Sequence, residues 1–240
     1  MSDSIQSVLN GKTALITGAT GGIGNEIAKQ LHHHGTKLFL TGRNPTKLQG
    51  LKNDFPEAKV YQLDLSSGQN VEEQNLQIEK DSGGIDILIN CAGIFYLKPL
   101  EELVQDDYHQ VFSVNIQAPI FLAKWHSRNM KQKRWGRIFN IGSSSCYNGG
   151  SNSSLYCASK HALLGFSRSL SKELKDFNIR VCNLSPSSTK TEMGKIPLAS
   201  PQDYNTFIDP KEVAEVLVFL CGFNNSMEIQ ELLLNRVHVQ

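Results

Sequence analysis

The chain has 240 residues, 40% of them hydrophobic, enough for one well-packed core and a single domain. Its 24 basic and 23 acidic residues leave a net charge of +1, which signals neither a nucleic-acid nor another polyanionic partner. No apolar run is long enough to span a bilayer, and the opening MSDSIQSVLNGK lacks the basic start and apolar core of a secretory signal.

Residues 1–10 read as an N-terminal tail. Short apolar runs then alternate with stretches of helical spacing. KTALIT (12–17) predicts a strand and 22–34 a helix; TKLFLT (36–41) predicts a second strand and 45–53 a helix. AKVYQL (58–63), IDILIN (85–90), GRIFNI (136–141) and IRVCNL (179–184) predict further strands. Helical periodicity covers 69–80, 105–131 and 154–176 between them, and a last helix near 210–222 and strand near 229–235 close the series. Strands alternating with helices imply parallel pairing and a sheet covered on both faces, so the expected fold is α/β: one three-layer, doubly wound domain over 1–240. The run His32-His33-His34 is not expected to bind metal, because consecutive helical residues point about 100° apart. Cys91, Cys146, Cys157, Cys182 and Cys221 show no paired spacing, which favours a reduced, cytoplasmic chain over a disulfide or zinc framework.

The first strand runs directly into TGATGGIG, residues 17–24. A glycine-rich turn between a strand and a helix is where such sheets, the Rossmann type among them, bind dinucleotides. Gly18 permits the sharp turn, Gly22 and Gly24 allow close backbone approach, and the helix N-terminus offers free amides to phosphate oxygens. The second strand ends LTGRN. Where an NAD site would place an acid for the ribose hydroxyls, Thr41, Gly42, Arg43 and Asn44 supply none. The Arg43 guanidinium attracts a 2′-phosphate instead, and Gly42 leaves room for it, so NADP (as NADPH) is the expected cofactor.

Tyr156 and Lys160 lie four residues apart near the start of the helix over 154–176, which stacks them on one face. A free tyrosine, with a pKa of about 10, exchanges protons poorly near neutrality. An ammonium ~5 Å away at an effective dielectric of about 20 favours the phenolate by ~3 kcal/mol, roughly 2 pKa units. Tyr156 is thereby expected to act as an acid/base.

The Gly-x-x-x-Gly-x-Gly spacing of Gly18, Gly22 and Gly24, together with Tyr156-x-x-x-Lys160, resembles the short-chain dehydrogenase/reductase family from Lys12 to about Leu234. The resemblance implies cofactor contacts from Thr20 and Ile23 in the loop. It also implies contacts from Asp64 and Leu65 beside the adenine, and from Asn90, Ala92 and Gly93 in NCAG, where Cys91 replaces the family's asparagine. It assigns Asn115 in FSVNIQ as the helix-embedded catalytic asparagine, holding a water that relays protons toward Lys160. Ser143, 13 residues before Tyr156, becomes the hydroxyl that steadies the substrate oxygen, with Ser145 the alternative. In SPSSTKTEM, Pro186, Thr191 and Met193 match the nicotinamide-side loop, while Ser187 replaces its glycine and Thr189 its aliphatic residue. Pro186, Thr189 and Thr191 are the expected contacts there, and Lys160 also holds the nicotinamide ribose.

The activity so implied is interconversion of a carbonyl and a secondary alcohol with NADP(H), on a small-molecule substrate such as a small ketone or a 3-oxoacyl group. A dinucleotide sensor or scaffold on the same fold is the alternative, and the full set Asn115, Ser143, Tyr156 and Lys160 argues against it. A serine hydrolase is a weaker rival, because Gly-x-Ser-x-Gly is absent around residue 143. The basic run RNMKQKRWGR (128–137) admits an acidic carrier protein; a solvated helix end whose cations complement the helix dipole is the simpler reading. Residues 187–207 are expected to wall the substrate pocket. The long segments 105–131 and 154–176 carry apolar surface beyond one sheet face, and the equivalent family helices pair across a two-fold axis, which predicts a homodimer or homotetramer.

Overall fold

The computed structural model describes residues 2–196, 203–224 and 226–237. Its strands are β1 (Thr13–Thr17), β2 (Lys37–Gly42), β3 (Lys59–Gln62), β4 (Ile87–Asn90), β5 (Gly136–Ile141), β6 (Ile179–Pro186) and β7 (Glu231–Leu234). All join one parallel sheet in the order β3-β2-β1-β4-β5-β6-β7. The helices are α1 (Ser2–Leu9), α2 (Gly22–His33), α3 (Pro45–Asp54), α4 (Gly68–Ser82), α5 (Gln105–Phe112), α6 (Ala118–Lys133), α7 (Ser154–Leu174) and α8 (Pro210–Cys221). The architecture is the doubly wound, Rossmann-type α/β fold that the alternating pattern predicts.

Strand alternation sends successive side chains to opposite faces. Ala14 and Ile16 of β1 join Ile27 and Leu31 of α2 and Val213 and Leu217 of α8 in one buried layer. Leu15 joins Leu88, Ile138, Leu122, Met130 and Leu174 in the other. Winding reverses between β1 and β4, which opens a crevice at the carboxyl ends of these strands. Thr17 ties that crevice together: its Oγ accepts the amides of Cys91 and Ala92 at 3.1 and 3.2 Å.

Three local expectations change. The tail over 1–10 contains α1, whose Leu9 is fully buried in the core. The fourth strand starts at Ile87 rather than at residue 85, because the Asp86 carboxylate turns to accept the Thr13 amide at 3.0 Å. The helix over 105–131 is interrupted by a π-helical turn, Ser113–Gln117, in which the Ala118 amide reaches back to the Ser113 carbonyl. Pro119 explains the turn: it has no N–H for the carbonyl four residues earlier and its ring crowds that group. That carbonyl belongs to Asn115.

The basic run lies at the amino edge of the sheet. Lys133 pairs with Asp86 at 2.8 Å, Arg134 donates to the Asp176 carbonyl at 2.9 Å, and Lys131 sits over the Phe177 ring at 5.1 Å. Arg137 is fully buried, donating to the carbonyls of Gly136, Cys221 and Phe223, and it stacks on Trp135 at 4.4 Å. β5 separates this cluster from Ser143 by about 17 Å at ~3.3 Å per residue.

Candidate active site

The glycine loop is shaped by close backbone approach. Gly18 has φ +66°, and a Cβ there would meet the Ala92 Cα at 2.8 Å. At Gly24 it would meet the Gly18 carbonyl oxygen at 2.5 Å, and at Gly22 the Thr191 methyl at 2.8 Å. These glycines admit neighbouring backbone and the loop after β6, as the spacing requires. Side chains cap α3 (Asn44), α4 (Ser67) and α8 (Asp209), but α2 begins at Gly21 with no side-chain cap. Its leading amides remain available to an anion. A cavity of about 620 Å³ extends from this loop, along Thr20, Gly22 and Ile23, to Ser143, Tyr156 and Lys160. The uncapped helix and the glycine cradle fit the diphosphate of a dinucleotide.

At the other end of the cavity, α7 places Tyr156 and Lys160 on one face, with Lys160 Nζ 5.8 Å from the Tyr156 ring centre. The ammonium donates to the Ile141 carbonyl at 2.8 Å. The Ser143 side chain stands close enough to the Tyr156 phenol to lower its pKa, and it accepts the Ser145 amide at 3.1 Å. Ser143, Ser144 and Ser145 all line the cavity, and of the three Ser143 is the one that acts on the Tyr156 phenol. The Asn115 side chain is committed elsewhere: its amide donates to the Ile94 carbonyl (3.1 Å) and the Ser159 hydroxyl (3.0 Å), and its oxygen accepts the Ile94 amide (2.9 Å). It pins the loop after β4 to α7.

The electrostatics differ from the expectation of a lowered tyrosine pKa. Burial pushes the Tyr156 phenol up to about 12, and Ser143 beside it offsets only part of that. Burial also lowers Lys160. Desolvation penalises both charged forms and outweighs the pairwise attraction that spacing alone suggests.

Residues 12–199 match the short chain dehydrogenase family. The chain belongs to this family. It is 35% identical over 231 residues to the 3-oxoacyl-acyl-carrier-protein reductase FabG of Rickettsia prowazekii, covering 91% of this chain and 92% of that one. An uncharacterized oxidoreductase of Staphylococcus aureus is 30% identical over 228 residues, covering 94% and 97%. A metagenomic short-chain oxidoreductase solved in complex with NADP superposes with a TM-score of 0.84 at 27% identity, covering 96% and 99%. This short-chain dehydrogenase is thus an oxidoreductase with the fold and reach of its relatives.

Not every residue that the family pattern singles out faces the cavity of this short-chain dehydrogenase. Gly93 does, and so do Pro186, Thr189 and Thr191. Asn90 turns into the sheet, donating to Asn140 at 2.8 Å, which donates to Ser167 of α7 at 2.8 Å. Ala92 backs Gly18. Arg43, Asp64 and Leu65 follow the ends of β2 and β3, outside the main cavity wall; Leu65 is buried. The Asp64 carboxyl is held below its ordinary range by hydrogen bonds from Ser66, with a smaller contribution from Arg43. Gly42 admits the Thr20 side chain and Leu48 rather than leaving open space, since a Cβ there would lie 2.8 Å from the Thr20 methyl. Ser187, in the family's glycine position, accepts the Arg236 amide at 3.1 Å and anchors the loop to the chain after β7. Residues 197–202 of the expected substrate wall lie outside the described residues.

Cavity-lining Lys47, Phe95 and Glu192 carry no sequence signal that separates them from surface residues. Lys47 had one faint pointer, its place in the first turn after Arg43.

Proposed function

We propose that the protein is an NADP(H)-dependent reductase that converts a carbonyl to a secondary alcohol, with Tyr156 as the proton donor. The observation that carries this reading is that Ser143, Tyr156 and Lys160 line the same cavity as the uncapped, glycine-lined start of α2. A reduced nicotinamide, when bound, supplies the hydride. With its pKa near 12, the Tyr156 phenol stays protonated at neutral pH and is ready to donate to the carbonyl oxygen. Ser143 donates a second hydrogen bond to that oxygen as its charge develops. Lys160 stabilises the phenolate left behind and holds the cofactor ribose. The Asn115 carbonyl, denied a donor by Pro119, holds the water through which Lys160 and Tyr156 regain a proton. NADPH is selected by Arg43, at the end of a strand that offers no acid to a ribose hydroxyl; Asp64 and Leu65 flank the adenine.

We place the enzyme in the cytoplasm, a reading supported by five free cysteines and by the absence, among the described residues, of a helix able to cross a membrane. We further propose that the chain acts as one domain and assembles as a homodimer or homotetramer through α5–α6, where Tyr108 and Phe121 are exposed; light scattering at micromolar concentration checks the mass. The site lies at the edge of the sheet remote from the basic run, which disfavours that run as a carrier-docking patch for this reaction.

A panel of ketones, aldehydes and 3-oxo esters tests the function. Oxidation of NADPH with at least one class is expected. Tight NADPH binding without turnover across the panel would return the protein to the sensor reading.

A further inference from the structure

The cavity has two chemically different halves. Apart from the glycine loop, the lining carries an apolar part in which Phe95 packs on Tyr156 and Leu97, Met193, Ile196 and Phe207 are the other large apolar side chains. Neutral groups complete it: Asn148, Gly149, Gly150 and Ser151. Among the described residues, the charged members of the lining are Lys47, Lys160 and Glu192. Lys47 belongs to the first turn of α3, on the glycine-loop side. Lys160 Nζ is held by the Ile141 carbonyl, close to Gly93, where an added Cβ would be 3.7 Å away. Glu192 is paired with Lys195 at 2.6 Å.

Phe95 links this wall to the chemistry. Its ring meets Tyr156 edge to face, with centroids 4.7 Å apart and planes at 70°. One side chain thus packs against the acid–base phenol and forms part of the cavity wall.

We propose that the substrate is an uncharged carbonyl compound whose apolar arm packs against Phe95, and that compounds with a carboxylate beside the carbonyl are rejected. This deepens, and rests on, the carbonyl-reductase reading above. An apolar arm entering this half loses water to apolar surface, which is favourable. A carboxylate entering it loses hydration, and among the described residues no cation faces it unengaged: Lys160 donates to the Ile141 carbonyl, and Arg236, which does not line the cavity, is held on the Phe207 ring and the Thr206 hydroxyl, so the burial is strongly unfavourable. Phe95 is a specificity-determining residue for the size and shape of the arm.

The test compares matched pairs with NADPH: ethyl 3-oxobutanoate against 3-oxobutanoate, and ethyl benzoylformate against benzoylformate. Each ester is expected to exceed its acid in kcat/KM by about 100-fold or more, the scale of an unpaired buried charge. Met193→Arg, which brings a cation to the wall, should narrow that gap at least tenfold. Phe95→Ala should lower the ratio of aryl to alkyl ester efficiency, whatever it does to kcat through Tyr156. A second readout needs no turnover: in the presence of NADP, the esters should raise the melting temperature and the acids should not. Acids that are reduced, or that stabilise the protein, as well as their esters would overturn the charge selection. An unchanged aryl-to-alkyl ratio in Phe95→Ala would overturn the role of Phe95. If neither ester nor acid is reduced although NADPH binds, the reductase reading fails, and the melting shifts still decide the charge selection separately.

Discussion

The two ends of the same strands treat charge in opposite ways. At the amino edge, charged groups are matched. Asp86 receives the Thr13 amide and Lys133, and Arg137 is buried among carbonyls and stacked on Trp135, whose ring also carries Lys12 at 4.3 Å. Burial lowers the Arg137 pKa to about 10, far enough above neutrality that the guanidinium stays charged and keeps its grip on α8. At the carboxyl edge, Tyr156 and Lys160 are buried and Cys91 half-buried with fewer partners, and each is shifted against its charged form; both Tyr156 and Cys91 rise to about 12. Satisfied charge makes a rigid base, whereas ionisable groups short of partners make a site that a ligand can complete. Stability and chemistry are therefore expected to be separable by mutation.

The largest expected effect is at the carboxyl edge. Tyr156→Phe should reduce kcat by about 10³-fold, within the range of a lost general acid, while the melting temperature and the NADPH dissociation constant barely move. Near-native turnover in this variant would sink the proposed mechanism. At the amino edge, Arg137→Met should lose roughly 3 kcal/mol of unfolding free energy, because several buried carbonyls lose their donor. Urea denaturation reads the loss, and kcat per folded molecule should stay within twofold; a matching fall in kcat would show that the two edges are coupled.

Between the edges, on α6, His126 is 1% exposed, and burial lowers its pKa from 6.5 to about 4. Its folded pKa lies below the unfolded value, so the neutral ring's contribution is fully present above pH 6.5 and is lost as pH falls toward 4. The loss over that window is about 3 kcal/mol. His126→Phe should flatten the pH dependence of the urea midpoint between those limits; an unchanged slope would assign the acid sensitivity to other groups.

Smaller effects sharpen the contrast. Arg43→Ala should reduce the preference for NADPH over NADH about tenfold in kcat/KM, the worth of one charge-assisted contact. A wild-type preference for NADH, or a ratio indifferent to Arg43, would count against the NADP assignment. The least change is expected from reversing charge at the amino edge: the double variant Arg128→Glu, Lys131→Glu should leave kcat/KM for small carbonyls within twofold. A large fall there would mean that the basic run does reach the substrate.

The sequence by itself determined the sheet, because apolar period and length are local signals and each strand and helix answers to its own residues. It also determined the glycine cradle, since Gly18, Gly22 and Gly24 stand where only a missing Cβ lets backbones meet. Tyr156 and Lys160 were legible from helical spacing, and Asn115 and Ser143 from their resemblance to family motifs.

Tertiary structure alone decided the rest. Whether a buried lysine or burial itself controls the Tyr156 phenol depends on how much water the fold removes, a sum over the whole surroundings that spacing does not contain. The side chain of Asn115 is spent on Ile94 and Ser159, contacts that form only when α5–α6, the loop after β4 and α7 converge. Phe95 and Glu192 reach the cavity from loops whose course no local periodicity records. The basic run looks like a docking patch as a string of letters; the direction of α6, antiparallel to the strands, carries it to the edge remote from the site.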